Sequence, residues 1–102
     1  MEIKYTDYGD AVRFYLSGEL DEHYAKGVKQ YIDEVIAKNS GLKKVVFNLS
    51  ELEFMDSTGV GMLLGRYKRL KKMGADCFIE SPRPSVEKVI EVSGIYGIMP
   101  KI

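Results

Sequence analysis

The run Val45-Val46-Phe47-Asn48-Leu49 is almost wholly apolar. It is followed, after a short polar stretch, by Asp56-Ser57-Thr58-Gly59 and a helical repeat from Val60 to Met73. A short apolar run of this length reads as a buried strand, and near-continuous apolarity is the pattern of a central strand covered on both faces. A central strand that feeds a helix implies a crossover to a parallel neighbour, because parallel strands cannot be joined by a tight turn. These residues therefore confine the chain to the α/β class.

The flanking segments complete a mixed sheet. Ile3 and Tyr5 alternate with Glu2, Lys4 and Thr6, and Val12, Phe14 and Leu16 alternate with Arg13 and Tyr15. Tyr8-Gly9-Asp10 between them has turn chemistry, which predicts an N-terminal β-hairpin with one buried face. After Asp21, the residues Tyr24, Ala25, Val28, Tyr31, Ile32, Val35 and Ile36 follow helical spacing, and Asn39-Ser40-Gly41 is the predicted stop, with Gly41 at the helix end. The second helix carries Val60, Leu63, Leu64, Tyr67 and Leu70 on its core stripe. Lys68, Arg69, Lys71 and Lys72 solvate the rest, and Gly74 ends it. On this spacing Met62, Arg66, Arg69 and Met73 fall opposite the core, with Met62 a soft surface for a partner. Asp76 to Glu80 is a further short strand, and Ser81-Pro82-Arg83-Pro84 turns into a last helix with Val86, Val89 and Ile90 inward. That helix stops at Ser93-Gly94, and the apolar tail 95–102 fits either an edge strand or a docked segment.

At 102 residues the chain is expected to be a single domain, residues 1–102, large enough for one core. Fifteen basic side chains balance fifteen acidic ones, so no overall field favours nucleic acid or an anionic membrane. One cysteine, Cys77, excludes an internal disulfide and suits a reducing compartment. Met1-Glu2-Ile3-Lys4 has no signal-peptide pattern, and no apolar run approaches the ~20 residues of a membrane span. The expected location is the cytoplasm.

Function in such sheets gathers in loops at the carboxyl ends of parallel strands. Two of these are predicted to lie side by side, Ser17–Asp21 and Ser50–Gly59. Asp21, Asp56, Ser57 and Thr58 are all helix-capping residue types, worth about 1 kcal/mol as caps, while a helix N-terminus also attracts anionic groups. Gly59, Gly61 and Gly65 each cost about 1 kcal/mol against alanine in a helix, which points to close approach by backbone, ligand or partner. His23 reads as an exposed helix residue. A Ser57–His23–Asp21 hydrolase triad would be strained, because His23 lies two residues from Asp21 at a helix start, and no Gly-x-Ser-x-Gly elbow or clustered metal-ligand set is present.

Ser17-Gly18-Glu19-Leu20-Asp21 followed by Ala25, and Met55-Asp56-Ser57-Thr58-Gly59-Val60-Gly61 followed by Leu64-Gly65-Arg66-Tyr67-Lys68, resemble in order the two signatures of the anti-sigma factor antagonists. These are bacterial single-domain STAS proteins of sporulation and general-stress pathways, and the resemblance runs through essentially the whole chain. It implies a STAS-like mixed β-sheet with a parallel centre and helices packed on it. It also implies a regulator of transcription rather than an enzyme, with no cofactor. The unphosphorylated protein would bind an anti-sigma factor that is also a GHKL-type serine kinase and so release the sigma factor. Phosphorylation of Ser57, directly after Asp56, would end binding, and a PP2C-type phosphatase would restore it. The implied partner surface comprises Gly18, Glu19, Asp21, Asp56, Ser57, Thr58, Gly59, Gly61, Met62 and Gly65. Neither direct nucleic-acid binding nor a membrane is implied. The alternative within the same family is a scaffold or nucleotide-sensing module outside any sigma-factor pathway, although no Walker motif is present.

Overall fold

Strands β1 (Glu2–Asp7), β2 (Ala11–Leu20), β3 (Lys44–Met55) and β4 (Asp76–Glu80) alternate with helices α1 (Glu22–Ala37), α2 (Ser57–Lys72) and α3 (Pro84–Ser93). The computed structural model describes all residues from Met1 to Ile102. The sheet order is β1-β2-β3-β4, with β1 antiparallel to β2 and the other pairs parallel. Gly9, at φ +93°, turns the hairpin, and Tyr8 N–H donates to the Ala11 carbonyl at 2.8 Å. The mixed sheet, its N-terminal hairpin and its parallel centre are those expected from the sequence.

Both crossovers, β2-α1-β3 and β3-α2-β4, step in the same direction across the sheet. Right-handed connections then place α1 and α2 on the same face. Twenty-five buried residues make one core on that face, including Phe14, Leu16, Phe47, Leu63, Ile32 and Ile90. The rings of Phe14 and Phe47 stack at its centre, 5.7 Å apart. The opposite face carries no helix, which corrects the expectation that β3 is covered on both sides. Val46 is buried there yet lies outside the core. Around it, Arg13 pairs with Glu80 at 2.9 Å, Asn48 donates to Glu80 at 2.7 Å, and Lys44 lies over the Phe78 ring. A strand can thus be apolar on two faces when polar neighbours fold over the second one.

The loops predicted at Ser17–Asp21 and Ser50–Gly59 are largely strand. β2 continues to Leu20 and β3 to Met55. Two register shifts let the twelve residues of β3 match the ten of β2: Tyr15 opposes Asn48, Ser17 opposes Glu51, Gly18 opposes Leu52, and Leu20 opposes Met55. Each shift adds one residue to β3, as β-bulges do. Leu49, Leu52 and Met55 therefore all point into the core.

The helix ends follow their local chemistry with one exception. Gly74 (φ +81°) and Gly94 (φ +78°) take the left-handed conformation after α2 and α3. Gly41 does not serve α1, which ends at Ala37 with Lys38 as C-cap. Instead Asn39 fastens this turn to the hairpin, its amide donating to the Gly9 carbonyl at 2.7 Å. The tail forms a single 3₁₀ turn, Ile95–Gly97, and then docks as an edge segment, with Ile79 N–H donating to Pro100 and Ile102 N–H to Ile79, both at 2.9 Å. No helix is long and apolar enough to cross a membrane.

Cys77 lies in the core, where burial raises its thiol from an ordinary value near 9 to about 12. The thiolate is the reactive form, so the native protein is expected to resist thiol reagents at pH 8 and to react stoichiometrically once unfolded in urea. Fast labelling without denaturant would contradict this burial. At Gly59, a Cβ would lie 2.7 Å from the Leu20 carbonyl oxygen and 2.9 Å from Leu20 Cγ. Gly59→Ala is therefore expected to lose about 2 kcal/mol in urea unfolding, in the range of other overpacking substitutions; an unchanged midpoint would disprove the close approach.

Candidate functional site

The site is assembled where β2 and β3 end together. Leu20 opposes Met55, and Asp56 N–H donates to the Leu20 carbonyl at 3.4 Å, so Asp21 and Asp56 emerge side by side. Each caps the helix it precedes. The Asp21 carboxylate accepts from Tyr24 N–H at 3.1 Å. That of Asp56 accepts from Thr58 N–H at 3.0 Å and Gly59 N–H at 3.1 Å. Asp56 thus takes the capping bonds that Ser57 or Thr58 could have taken. Ser57 becomes the first residue of α2, and it and Thr58 are exposed to solvent at the positive end of the helix dipole.

Two adjoining depressions flank this point. One is lined by Asp21, Glu22, His23, Lys26 and Asp56. The other is a groove between α1 and α2 lined by Ala25, Lys26, Lys29, Thr58, Gly61, Met62, Gly65 and Arg66. A Cβ at Gly61 or Gly65 would meet nothing within 4 Å, whereas Gly59 is pressed against Leu20. The three glycines therefore do different things: Gly59 lets the helix start close on β2, while Gly61 and Gly65 keep an external groove shallow and open.

Of the residues singled out from the sequence, Asp21, Asp56, Thr58, Gly61, Met62 and Gly65 line these depressions, with Ser57 exposed between them. Gly18 and Glu19 are not gathered there. Both lie in β2, Gly18 opposite Leu52 and Glu19 opposite Phe54. Gly18 has φ +99°, and a Cβ on it would come 3.1 Å from Met1 Cα, so its requirement for glycine is local.

The predicted outer face of α2 needs correction. Met62 is only 7% exposed and belongs to the core cluster, although its edge reaches the groove. Arg66 is buried as well, its Nε 3.0 Å from the Asp33 carboxylate of α1; Arg69 reaches the same oxygen at 3.0 Å. Only Met73 and part of Arg69 face solvent as expected. The reason is that α2 packs on α1 as well as on the sheet, so it buries a second stripe that periodicity for one face does not reveal. Lys26 and Lys29 were missed for the opposite reason, since lysines on the polar side of an amphipathic helix carry no local mark of a groove. His23 is exposed as expected, its ring set edge-on to Tyr24 at 4.6 Å.

Comparison with known proteins accords with this architecture. The family profile described as STAS domain matches residues 2–102. An anti-sigma F factor antagonist of Paenibacillus polymyxa is 39% identical over 85 residues, covering 83% of this chain and 72% of the relative. The solved structure of the anti-sigma factor antagonist SpoIIAA in its unphosphorylated form superposes with a TM-score of 0.84 at 29% identity, covering 99% of this chain and 88% of the other. SpoIIAA of Bacillus in its phosphorylated form superposes with a TM-score of 0.75 at 28% identity, covering 99% and 91%.

The ion pair that ties α1 to α2 is open to direct measurement. Asp33→Ala would leave the Arg66 guanidinium buried without its carboxylate and is expected to cost about 3 kcal/mol in denaturant unfolding, the range for breaking a buried pair from one side. The same substitution at Asp76, whose partner Lys71 is largely exposed, should cost well under 1 kcal/mol. Equal effects at the two positions would contradict the burial.

Proposed function

This chain belongs to the STAS domain family, and we propose that within it the protein is an anti-sigma factor antagonist switched by phosphorylation of Ser57. In this reading the unphosphorylated form docks on an anti-sigma factor that is also a GHKL-type serine kinase, and the sigma factor is released. A PP2C-type phosphatase resets the switch. The docking surface is the Asp21–Asp56 end of the sheet together with the glycine-floored groove along α2.

The observation that carries the proposal is the division of labour between Asp56 and Ser57. Asp56 does the capping, so the Ser57 hydroxyl is exposed and α2 does not depend on it. A phosphoryl group on Ser57 would add about −1.5 to −2 charges at neutral pH. It would sit at a helix N-terminus, where negative charge is tolerated or mildly stabilising. The same charge is costly to a partner, which would have to desolvate a dianion beside the Asp21 and Asp56 carboxylates. Phosphorylation then acts on association and leaves the fold alone. The likeness of this chain to SpoIIAA in both its unphosphorylated and its phosphorylated form supports that separation.

The test uses purified protein with its cognate anti-sigma kinase and ATP. Phosphopeptide mapping is expected to place a stoichiometric label on Ser57; label on Thr58 with Ser57 unmodified would overturn the assignment. Ser57→Asp is expected to melt within a few degrees of the parent and to bind the kinase about a hundredfold more weakly, a repulsion of the size expected for like charges in an interface. Ser57→Ala should bind and resist switching. Gly61→Leu should also melt normally, since its side chain enters open space, and should lose binding. Unimpaired binding by Gly61→Leu would remove the groove from the docking surface.

A further inference from the structure

The sheet has one covered edge and one open edge. The tail bonds to β4 at Ile79, whereas β1 pairs with β2 alone. The register of the hairpin fixes which way each backbone group of β1 points. Tyr8 N–H donates across the hairpin to Ala11, and the pairing from Glu2↔Ser17 to Asp7↔Val12 runs without a bulge. Hydrogen-bonded and non-hydrogen-bonded positions alternate along an antiparallel pair. Thr6, Lys4 and Glu2 therefore bond inward like Tyr8, and Ile3, Tyr5 and Asp7 direct their N–H and C=O groups outward from the open edge.

The side chains on this edge are sorted by face. Ile3 and Tyr5 point to the helices, with the Tyr5 ring 6.2 Å from both Phe14 and Tyr31. Met1, Ile3, Tyr24, Gly27, Val28 and Tyr31 line an apolar notch beside it, while Tyr5 and Tyr24 remain about two-fifths exposed, at 41% and 39%. Glu2 and Lys4 lie on the helix-free face, beside Tyr15 and Asn48.

We propose that this edge pairs with the same edge of a second copy of the chain, antiparallel, with Ile3 opposite Ile3 across a two-fold axis. Outward bonding restricts antiparallel self-pairing to a few registers. Centred on Lys4, the pairing opposes Lys4 to Lys4 and Met1 to Asp7. Centred on Tyr5, it opposes Ile3 to Asp7. Centred on Ile3, it opposes Glu2 to Lys4 of the second copy twice over on one face, and on the other it sets Ile3 against Ile3 and Met1 against Tyr5. That register alone matches opposite charges and joins the two apolar notches, and cross-strand pairs of both kinds stabilise antiparallel ladders. Charged residues on an edge strand ordinarily ward off other strands; here their order along β1 makes them complementary to themselves. The product is a continuous eight-stranded sheet, twice the four strands of one chain.

Sedimentation velocity from about 10 μM to about 1 mM covers the range for so small an interface. A reversible monomer–dimer equilibrium is expected. Glu2→Lys or Lys4→Glu alone each creates two like-charge pairs and should raise the dissociation constant about tenfold. The double reversal should bring it back to within about threefold of the parent, because the pairs are re-formed with their signs exchanged. Ile3→Pro removes an outward N–H at an edge, where proline is tolerated, and should abolish the dimer. If that variant also melts earlier, the charge reversals decide the matter. A protein that is monomeric throughout, or a dimer indifferent to the single reversals, or one not restored by the double, overturns the proposal.

Discussion

Everything at the candidate site depends on β2 and β3 staying paired to their last residues. The Leu20 carbonyl receives the Asp56 N–H, and the Cα of Gly59 lies against the same carbonyl. No other residue type fits that contact, because a Cβ would sit 2.7 Å from the oxygen. It fixes where α2 starts, and therefore where Ser57 stands relative to Asp21. The positive end of α2 and the first turn of α1 become neighbours through backbone geometry, with no need for a side chain to bridge them.

Once the helix starts are fixed, α1 and α2 must lie side by side on one face of the sheet, and the seam between them is held by the Arg66–Asp33 pair at 3.0 Å. The Arg66 side chain of this pair also lines the open groove at Gly61 and Gly65. The rigid contact between the helices thus borders the part of their surface that Gly61 and Gly65 keep free of side chains. The fold carries its own support, and the exposed hydroxyl of Ser57 is left outside it.

Much of this was legible in the sequence, and the residues show why. Alternation in β1 and the first half of β2, the apolar run at Val45–Leu49, and left-handed glycines at Gly74 and Gly94 are local signals that the fold obeys. The adjacency of Asp21 and Asp56 followed from strand direction. The second half of β3 was hidden because its bulges space Leu49, Leu52 and Met55 by three rather than two, which breaks the strand period. Arg66 was placed on the wrong side because its partner, Asp33, lies on another helix and leaves no trace near Arg66 in the sequence. Lys26 and Lys29 look like any solvated lysines until the opposing glycines are seen across the groove.

The two bulges in β3 also make the reach of that strand adjustable. Each holds one residue out of step with β2, and each stored residue represents about 3.3 Å of strand. A chain that lost one residue between Leu49 and Leu52 could shed the first bulge and keep Leu20 opposite Met55, whereas one that lost a residue where the two strands run in step, between Val45 and Phe47, would have Asp56 drawn back toward the middle of the sheet by that amount. Such a shift exceeds the tolerance of a capping hydrogen bond and would pull Gly59 off the Leu20 carbonyl. In this fold the number of in-step residues before the site works as a positional gauge: a residue lost there should be felt at Asp56, and one lost at a bulge should be absorbed where it occurs.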